Sequence, residues 1–376
     1  MTTVIPFNDL TRLSEPLRSQ IREVVGELSV SGRYILGDHV ERFEEQLAGY
    51  LKVKFALGVA TGTDALTLAL TALKVESGDL VLTVGNAGAY TTIATKSVGA
   101  EPVFVDVSRN TLQMTLKDLQ KTLEICQAKK LIPKVLVVTH LYGQLNSEIS
   151  EIVKFAHSRN ISVIEDCAQA LGAKSDAGMA GSFGDIATFS FYPTKNLGAS
   201  GDGGALATND SELNVRLRKL RQYGWGEKYR IEIAGGRNSR LDEIQAAVLS
   251  LKLPFLDGWN QRRREIYARY IGAAKERVVF FSNTQDSTFV AHLSTIHPGQ
   301  VTRQTAEQLF ADLAIQTSRH FPVPDHKQDL DLKFADLVPL PVTEWSSEEC
   351  LSIPMFPELQ EEEILRIEAA LAGLGC

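Results

Sequence analysis

The chain has 376 residues with a formal net charge of −7, and 44% of its residues are apolar, 23% charged and 7% aromatic. Such a composition argues against disorder, collagen-like repeats and a disulfide scaffold, and an acidic chain with pI near 5.6 is poorly suited to unspecific polyanion binding. One anionic small molecule held by a few local cations remains compatible, so a nucleic-acid partner is not expected. Cys126, Cys167, Cys350 and Cys376 are widely spaced with no CxxC pair, which supports neither a metal site nor a disulfide framework. The start, MTTVIPFND, lacks the basic and apolar regions of a signal peptide. No apolar run approaches the ~18 residues that span a bilayer. A cytoplasmic protein with free thiols is expected, with no membrane partner.

In chain order, the first 55 residues read as helical, with Ile21, Val24, Val25 and Leu28 at helix spacing. From Val53 short β-branched runs alternate with longer amphipathic stretches. The strand candidates are Leu80–Val84, Pro102–Val107, Val135–Thr139, Ile161–Glu165, Ile186–Phe191 and Ala205–Ala207. Near-continuous apolar strands separated by helices predict an α/β fold, a mostly parallel sheet flanked by helices. Such sheets bind ligands at the carboxyl ends of their strands, which is where the polar residues fall here. A helical pattern over Leu241–Leu253 runs through Pro254 into WNQRRREIYARY. A boundary near Leu253–Asp257 divides the chain into a large domain, 1–254, and a smaller α+β domain, 255–376, with helix candidates at Arg303–Leu313 and Glu361–Leu371.

Three elements carry chemistry. Lys195 follows the strand Ile186–Phe191 in a loop with Pro193, Asn196 and Gly198. A lone lysine is usually a solvated surface residue, but one at the end of a buried strand beside a glycine-rich turn can be desolvated, lowering its pKa for nucleophilic or proton-transfer work. Asp166 ends the preceding apolar strand in VIEDCAQALGA. It is either a helix cap or a carboxylate facing a protonated ring nitrogen, as pyridoxal phosphate requires; Gln169 could then bond that ring's phenolic oxygen. In VATGTDALTLAL, Gly62 and Thr63 lie at a turn opening a helix, with Thr63 and Asp64 as start signals. A helix N-terminus is a natural phosphate site, and Ser190 would add a hydroxyl to it. Each signal is common alone; the three in one α/β chain are far more specific.

These segments resemble the DegT/DnrJ/EryC1/StrS sugar aminotransferases, fold-type-I pyridoxal-phosphate enzymes. The resemblance is carried by RYILGDHVERFEEQLAGYLKVKFALGVATGTDAL, VGAEPVFVDV, HLYGQ, VIEDCAQALGA, GSFGDIATFSFYPTKNLGASGDGGALAT, GGRNSRLDEIQAAVL, HFPVPDHKQ and LSIPMFPEL. It implies a homodimer with a shared active site. Lys195 would be the lysine that carries the cofactor, Asp166 the ring-nitrogen partner and Gln169 the contact to the phenolic oxygen. Gly62, Thr63 and Ser190 would bind the phosphate, with Asn238 reaching it from the neighbouring subunit and Arg240 ordering that loop. Where many members carry a Pro-x-Asn-Thr-aromatic run, this chain has TVGNAGAYTTIATKSVGAEP, two residues shorter. Tyr90 becomes the candidate to stack on the cofactor ring, against a position left small by Gly88.

The function implied is transamination from L-glutamate to a nucleotide-linked keto-deoxysugar, with a leaning towards C3 of a dTDP-3-keto-6-deoxyhexose. The alternatives are C4 amination of a UDP or dTDP sugar, amination of a free cyclitol, a sugar dehydratase, or a silent regulatory homologue. Lys195 argues against dehydration, because the dehydratases of this group carry histidine there. Arg230, Arg237, Arg319 and His326 are possible cations for the acceptor's phosphates. His140, Tyr142 and Tyr192 either line the acceptor site or are polar groups satisfied within the fold.

Overall fold

The computed structural model describes residues 3–282 and 286–374; Cys376 lies outside them. Its centre is a seven-stranded sheet: β1 (Phe55–Val59), β2 (Leu80–Val84), β3 (Glu101–Val105), β4 (Pro133–Thr139), β5 (Ser162–Asp166), β6 (Ile186–Ser190) and β7 (Gly204–Thr208). The spatial order is β1-β7-β6-β5-β4-β2-β3. All neighbours run parallel except β7, which is antiparallel to both β6 and β1. Before the first strand come α1 (Glu15–Ser31) and α2 (Asp38–Leu51), between strands run α3 (Gly62–Ala72), α4 (Tyr90–Ser97), α5 (Leu116–Ala128) and α6 (Ile149–His157), and after the last come α7 (Ser211–Leu220) and α8 (Glu243–Lys252).

Period-two alternation divides each strand between two cores. On β4, Val135 and Val137 face a layer formed with Leu66 and Leu70 of α3 and Leu217 of α7. Leu136 and Val138 face the opposite layer, with Phe43 and Leu47 of α2, Ile152 of α6 and Leu249 of α8. Both faces are covered, which is why these strands read as unbroken apolar runs. The six expected strands are present, Leu80–Val84 with the expected bounds and the others with ends shifted by at most two residues. β1 escaped the sequence pattern because Gly58 interrupts it. A Cβ at Gly58 would come within 2.9 Å of Leu241 Cβ, so the glycine lets the strand pack against the chain entering α8.

After a short turn at Leu253–Phe255 the chain enters α9 (Leu256–Ala274). Leu256 packs into the large core, whereas Ile266, Tyr267 and Tyr270 belong to a second one. That second core holds a three-stranded antiparallel sheet, β8 (Val279–Phe280), β9 (Ser294–His297) and β10 (Leu351–Ile353), with α10 (Arg303–Asp312) and α12 (Glu361–Gly373). One further helix, α11 (Pro341–Glu349), was not legible, its sequence PVTEWSSEE being mostly polar. Ile5 reaches back into this core, pairing with Ala314 and Gln316 through its backbone. Cys126, Cys167 and Cys350 are buried free thiols. No helix among the described residues is long and apolar enough to cross a membrane.

Candidate active site

The site lies along the carboxyl ends of β1, β4, β5 and β6. Helix α3 begins three residues after β1, and glycines bring it close to the neighbouring strands. A Cβ on Gly62 would meet Ser190 Cβ at 2.7 Å, and one on Gly204 would meet the Thr61 carbonyl at 2.4 Å. The cap is Thr61, two residues before the first of the expected start signals, Thr63: its Oγ1 accepts from Asp64 N at 3.0 Å and its carbonyl from Ala65 N. The N–H groups of Gly62 and Thr63 are left with no acceptor among the described residues, directly above Ser190. Two free donors, a hydroxyl and a helix N-terminus form a cradle for a phosphate.

Asp166 ends β5 nearly fully buried. One of its carboxylate oxygens accepts from Ala168 N at 3.1 Å; the other has no donor among the described residues. Burial raises its pKa, and the Ala168 N–H and the charge of Lys195 hold that rise back. Lys195 is half-buried, and its amine makes no hydrogen bond or ion pair among the described residues. Desolvation pulls it down to about 8, with Asp166 opposing. Two histidines feel the same cation. His320 is lowered to about 4 and His292 well below its usual range, first by burial and then by Lys195. The amine therefore faces one carboxylate and neutral imidazoles, conditions under which it gives up its proton near neutral pH.

Gln169 sits on the turn after β5. Its Oε1 accepts from Tyr142 N at 2.6 Å. Because a backbone N–H can only donate, the amide oxygen is fixed and the NH₂ group is turned outward as a free donor. Tyr142 is held in turn by its hydroxyl, which donates to the His320 carbonyl at 2.7 Å. Asn196, beside the lysine, donates to Asn260 Oδ1 and to the Val290 carbonyl, and its own Oδ1 meets His292 Nδ1 at 2.8 Å. These partners come from 64 to 96 positions away, so no local pattern could have announced His292. Thr61 was passed over in favour of Thr63, although a threonine immediately before a helix is a local capping signal.

Several expectations resolve differently. His140 is fully buried, with Nε2 on Glu165 at 2.9 Å and Nδ1 accepting from Asn146 N. Glu165 also takes the N–H groups of Gly181, Phe183 and Gly184, so His140 and Glu165 brace the strand ends from within and do not line an acceptor site. Tyr142 is likewise buried. Tyr192 is exposed at the edge of the lysine loop, where its carbonyl accepts from Lys195 N. Among the candidate phosphate cations, Arg237 pairs with Asp64 at 3.1 Å, Arg319 donates to the Ser347 carbonyl and buried His326 pairs with Glu344. Arg230 alone stays exposed and unbonded among the described residues. The 235–240 loop is tied by Arg237 and by Ser239, whose Oγ accepts from Ala60 N; Arg240 makes no hydrogen bond among the described residues. Asn238 is exposed, its side chain without a partner there.

Tyr90 opens α4 and is half exposed, edge-on to Phe321 with ring centroids 6.3 Å apart. Phe321 fills the space over Gly88: a Cβ there would lie 2.8 Å from its ring. Asp325 anchors the same loop, accepting from Ala89 N at 2.8 Å and Thr92 Oγ1 at 2.9 Å. The segment carrying Phe321 and Asp325 thus closes over the end of β2, a contact between residues more than 200 positions apart.

An amine held ready to lose its proton beside a buried carboxylate, on the same sheet edge as a phosphate cradle, answers the needs of pyridoxal phosphate. The class is a fold-type-I α/β enzyme. The profile of the DegT/DnrJ/EryC1/StrS aminotransferase family matches residues 16–372. The chain is 40% identical over 373 residues to the dTDP-3-amino-3,6-dideoxy-alpha-D-galactopyranose transaminase of Aneurinibacillus thermoaerophilus, across 99% of this chain and 100% of that one. Among solved structures it is similar to a DegT DnrJ EryC1 StrS aminotransferase from Brucella abortus, with TM-score 0.93 and 32% identity over 99% of this chain and 100% of that one. It is also similar to NtdA from Bacillus subtilis with bound cofactor PMP, with TM-score 0.89 and 28% identity over 99% and 85%. The protein belongs to the DegT/DnrJ/EryC1/StrS aminotransferase family and is a pyridoxal-phosphate-dependent aminotransferase.

Proposed function

We propose that the enzyme moves an amino group from L-glutamate to C3 of a dTDP-linked 3-keto-6-deoxyhexose. The observation that carries the chemistry is Lys195, an unpartnered amine lowered to about 8 opposite Asp166. The 3-amino-sugar transaminase of Aneurinibacillus, matched over its full length, supports the C3 acceptor. When bound, pyridoxal phosphate supplies an electron sink through its ring. Gly62 N–H, Thr63 N–H and Ser190 Oγ bind its phosphate, and Asp166 holds the proton on its ring nitrogen. Gln169 directs its free NH₂ to the phenolic oxygen, and Tyr90 with Phe321 bounds the pocket on the α4 side. Lys195 Nζ takes the proton from the donor's α-carbon and returns it during the reverse sequence on the sugar.

In this reading the enzyme is a homodimer in the cytoplasm. The half-exposed apolar face of α1, with Val24 and Val25, and the exposed Tyr34 and Ile35 offer surface for a partner. Asn238, free in its own subunit, would reach the partner's phosphate cradle, and Arg240 would settle only in the dimer. Free buried thiols suit a reducing compartment. The proposed division into 1–254 and 255–376 falls just before α9, whose residues pass from one core to the other.

The test is an absorbance titration of the purified, cofactor-loaded protein. L-Glutamate should convert the cofactor spectrum to the amine form, and the dTDP-3-keto sugar should restore it. A spectrum untouched by glutamate refutes the donor. Restoration by a 4-keto sugar and not by the 3-keto sugar refutes the position.

A further inference from the structure

The loop that carries Lys195 is closed by its own backbone, Lys195 N donating to the Tyr192 carbonyl and Ala199 N to the Phe191 carbonyl, both at 2.8 Å. Side chains complete the anchoring: Lys252 Nζ donates to the Gly198 carbonyl at 2.7 Å, and Asn196 is buried among residues that the loop meets only on folding. The Asn196 amide donates to the Val290 carbonyl at 3.0 Å and to Asn260 Oδ1 at 2.7 Å. Asn260 Nδ2 donates in turn to the Leu171 carbonyl at 3.1 Å. Carbonyls only accept, so both amides have one orientation, and Asn196 Oδ1 is left to face His292 Nδ1 at 2.8 Å. An amide oxygen cannot donate. The proton of a neutral His292 therefore sits on Nδ1, and Nε2 is bare. Burial holds His292 well below its usual range, with Lys195, Arg263 and His320 adding to the effect, so the imidazole keeps to that single proton.

His292 is fixed independently of the loop it touches. Val290 N donates to the Gly143 carbonyl at 2.9 Å and Leu293 N to the Tyr142 carbonyl at 3.3 Å, and a Cβ on Gly143 would lie 2.9 Å from His292 N. The same Tyr142–Gly143 turn orients Gln169. One turn thus sets the Gln169 amide and, through His292 and Asn196, the backbone beside Lys195. We propose that His292 is a positioning residue for Lys195: its Nδ1–H holds Asn196 and so keeps the lysine amine buried opposite Asp166. The proposal rests on Lys195 being the lysine that carries the cofactor. With the donor gone, Asn196 Oδ1 is left unpaired in a buried place, the loop relaxes towards water and the amine recovers ordinary solvation.

Two substitutions that keep a neutral polar side chain make the test. His292→Asn puts an N–H donor at the position Nδ1 occupies, whereas His292→Gln moves the donor one bond further out. Trace acetylation of the cofactor-free full chain over a pH series reads the Lys195 midpoint. His292→Asn should match the wild type, and His292→Gln should raise the midpoint so that the neutral fraction of Lys195 at neutral pH drops roughly tenfold. A merely structural role would lower both melting temperatures and leave the two midpoints together. In the cofactor-loaded enzyme, nitrogen NMR of isotopically labelled histidine, with either variant identifying the resonance, should show His292 neutral and protonated on Nδ1 between about pH 6 and pH 8. A bare Nδ1, equal midpoints in the two variants, or a wild-type midpoint in His292→Gln overturns the proposal. Borohydride reduction of the loaded enzyme locates the cofactor's lysine. If that lysine is not Lys195, the reading of the site falls and the proposal with it; if it is Lys195 and the variants are indistinguishable, the positioning role alone falls.

Discussion

Stripping the cofactor from the enzyme should leave Lys195 as an unusually acidic ammonium. Its ordinary value of 10.5 falls to about 8, burial being the main cause and the charge of Asp166 the restraint. At pH ~7.5 an amine of pKa about 8 is roughly one-quarter neutral, against about 0.1% for an unperturbed lysine. The reactive fraction is thus raised on the order of two-hundred-fold. Trace labelling of the cofactor-free protein with acetic anhydride over a pH series, with the Lys195 peptide quantified by mass spectrometry, reads this midpoint directly. Asp166→Asn removes the one opposing charge, so its midpoint should fall below that of the wild type. A wild-type midpoint near the ordinary value, or an upward move in Asp166→Asn, would refute the claim that desolvation prepares this lysine.

Gly62→Ala places a methyl group 2.7 Å from Ser190 Cβ and should part the helix end from the hydroxyl. Affinity for pyridoxal phosphate should drop about tenfold or more with that for unphosphorylated pyridoxal little changed; equal losses would show that the cradle does not hold the phosphate. Asp325 is raised from 3.8 to about 6 by burial, so the fold favours its neutral form and loses stability as pH rises through that window. Relative to Asp325→Asn, the wild type should lose about 1 kcal/mol between about pH 5 and pH 7 in denaturant melts, and a pH-independent gap would rule this out. Glu44, buried with its oxygens on Arg221, Arg218 and Gly58 N, compensates a buried guanidinium. Glu44→Gln should destabilise the protein by about 3 kcal/mol; a melting temperature equal to the wild type's would mean that the pair is not needed.

Much of this protein was determined by the chain locally. Burial of both faces of β4 required an unbroken apolar run, and such runs announced a parallel sheet. Asp166, Ser190 and Lys195 follow their strands directly in sequence, so strand ends located them. The need for glycine at 62 and 204 came only with folding, because the atoms a Cβ would strike there belong to Ser190 and Thr61, more than 100 positions away. Tertiary structure decided what the side chains touch. His140 looked like a possible acceptor contact until Glu165 was found to occupy it, and Arg237 and His326 looked available to a ligand until Asp64 and Glu344 proved to be their partners. Asp325 and Phe321 close the end of β2 from across the chain, while His292 and Asn260 hold Asn196 beside the lysine. The physical reason is separation along the chain. A strand's period or a helix cap is set by residues within a few positions, whereas burial, pairing and desolvation depend on neighbours that only folding brings near.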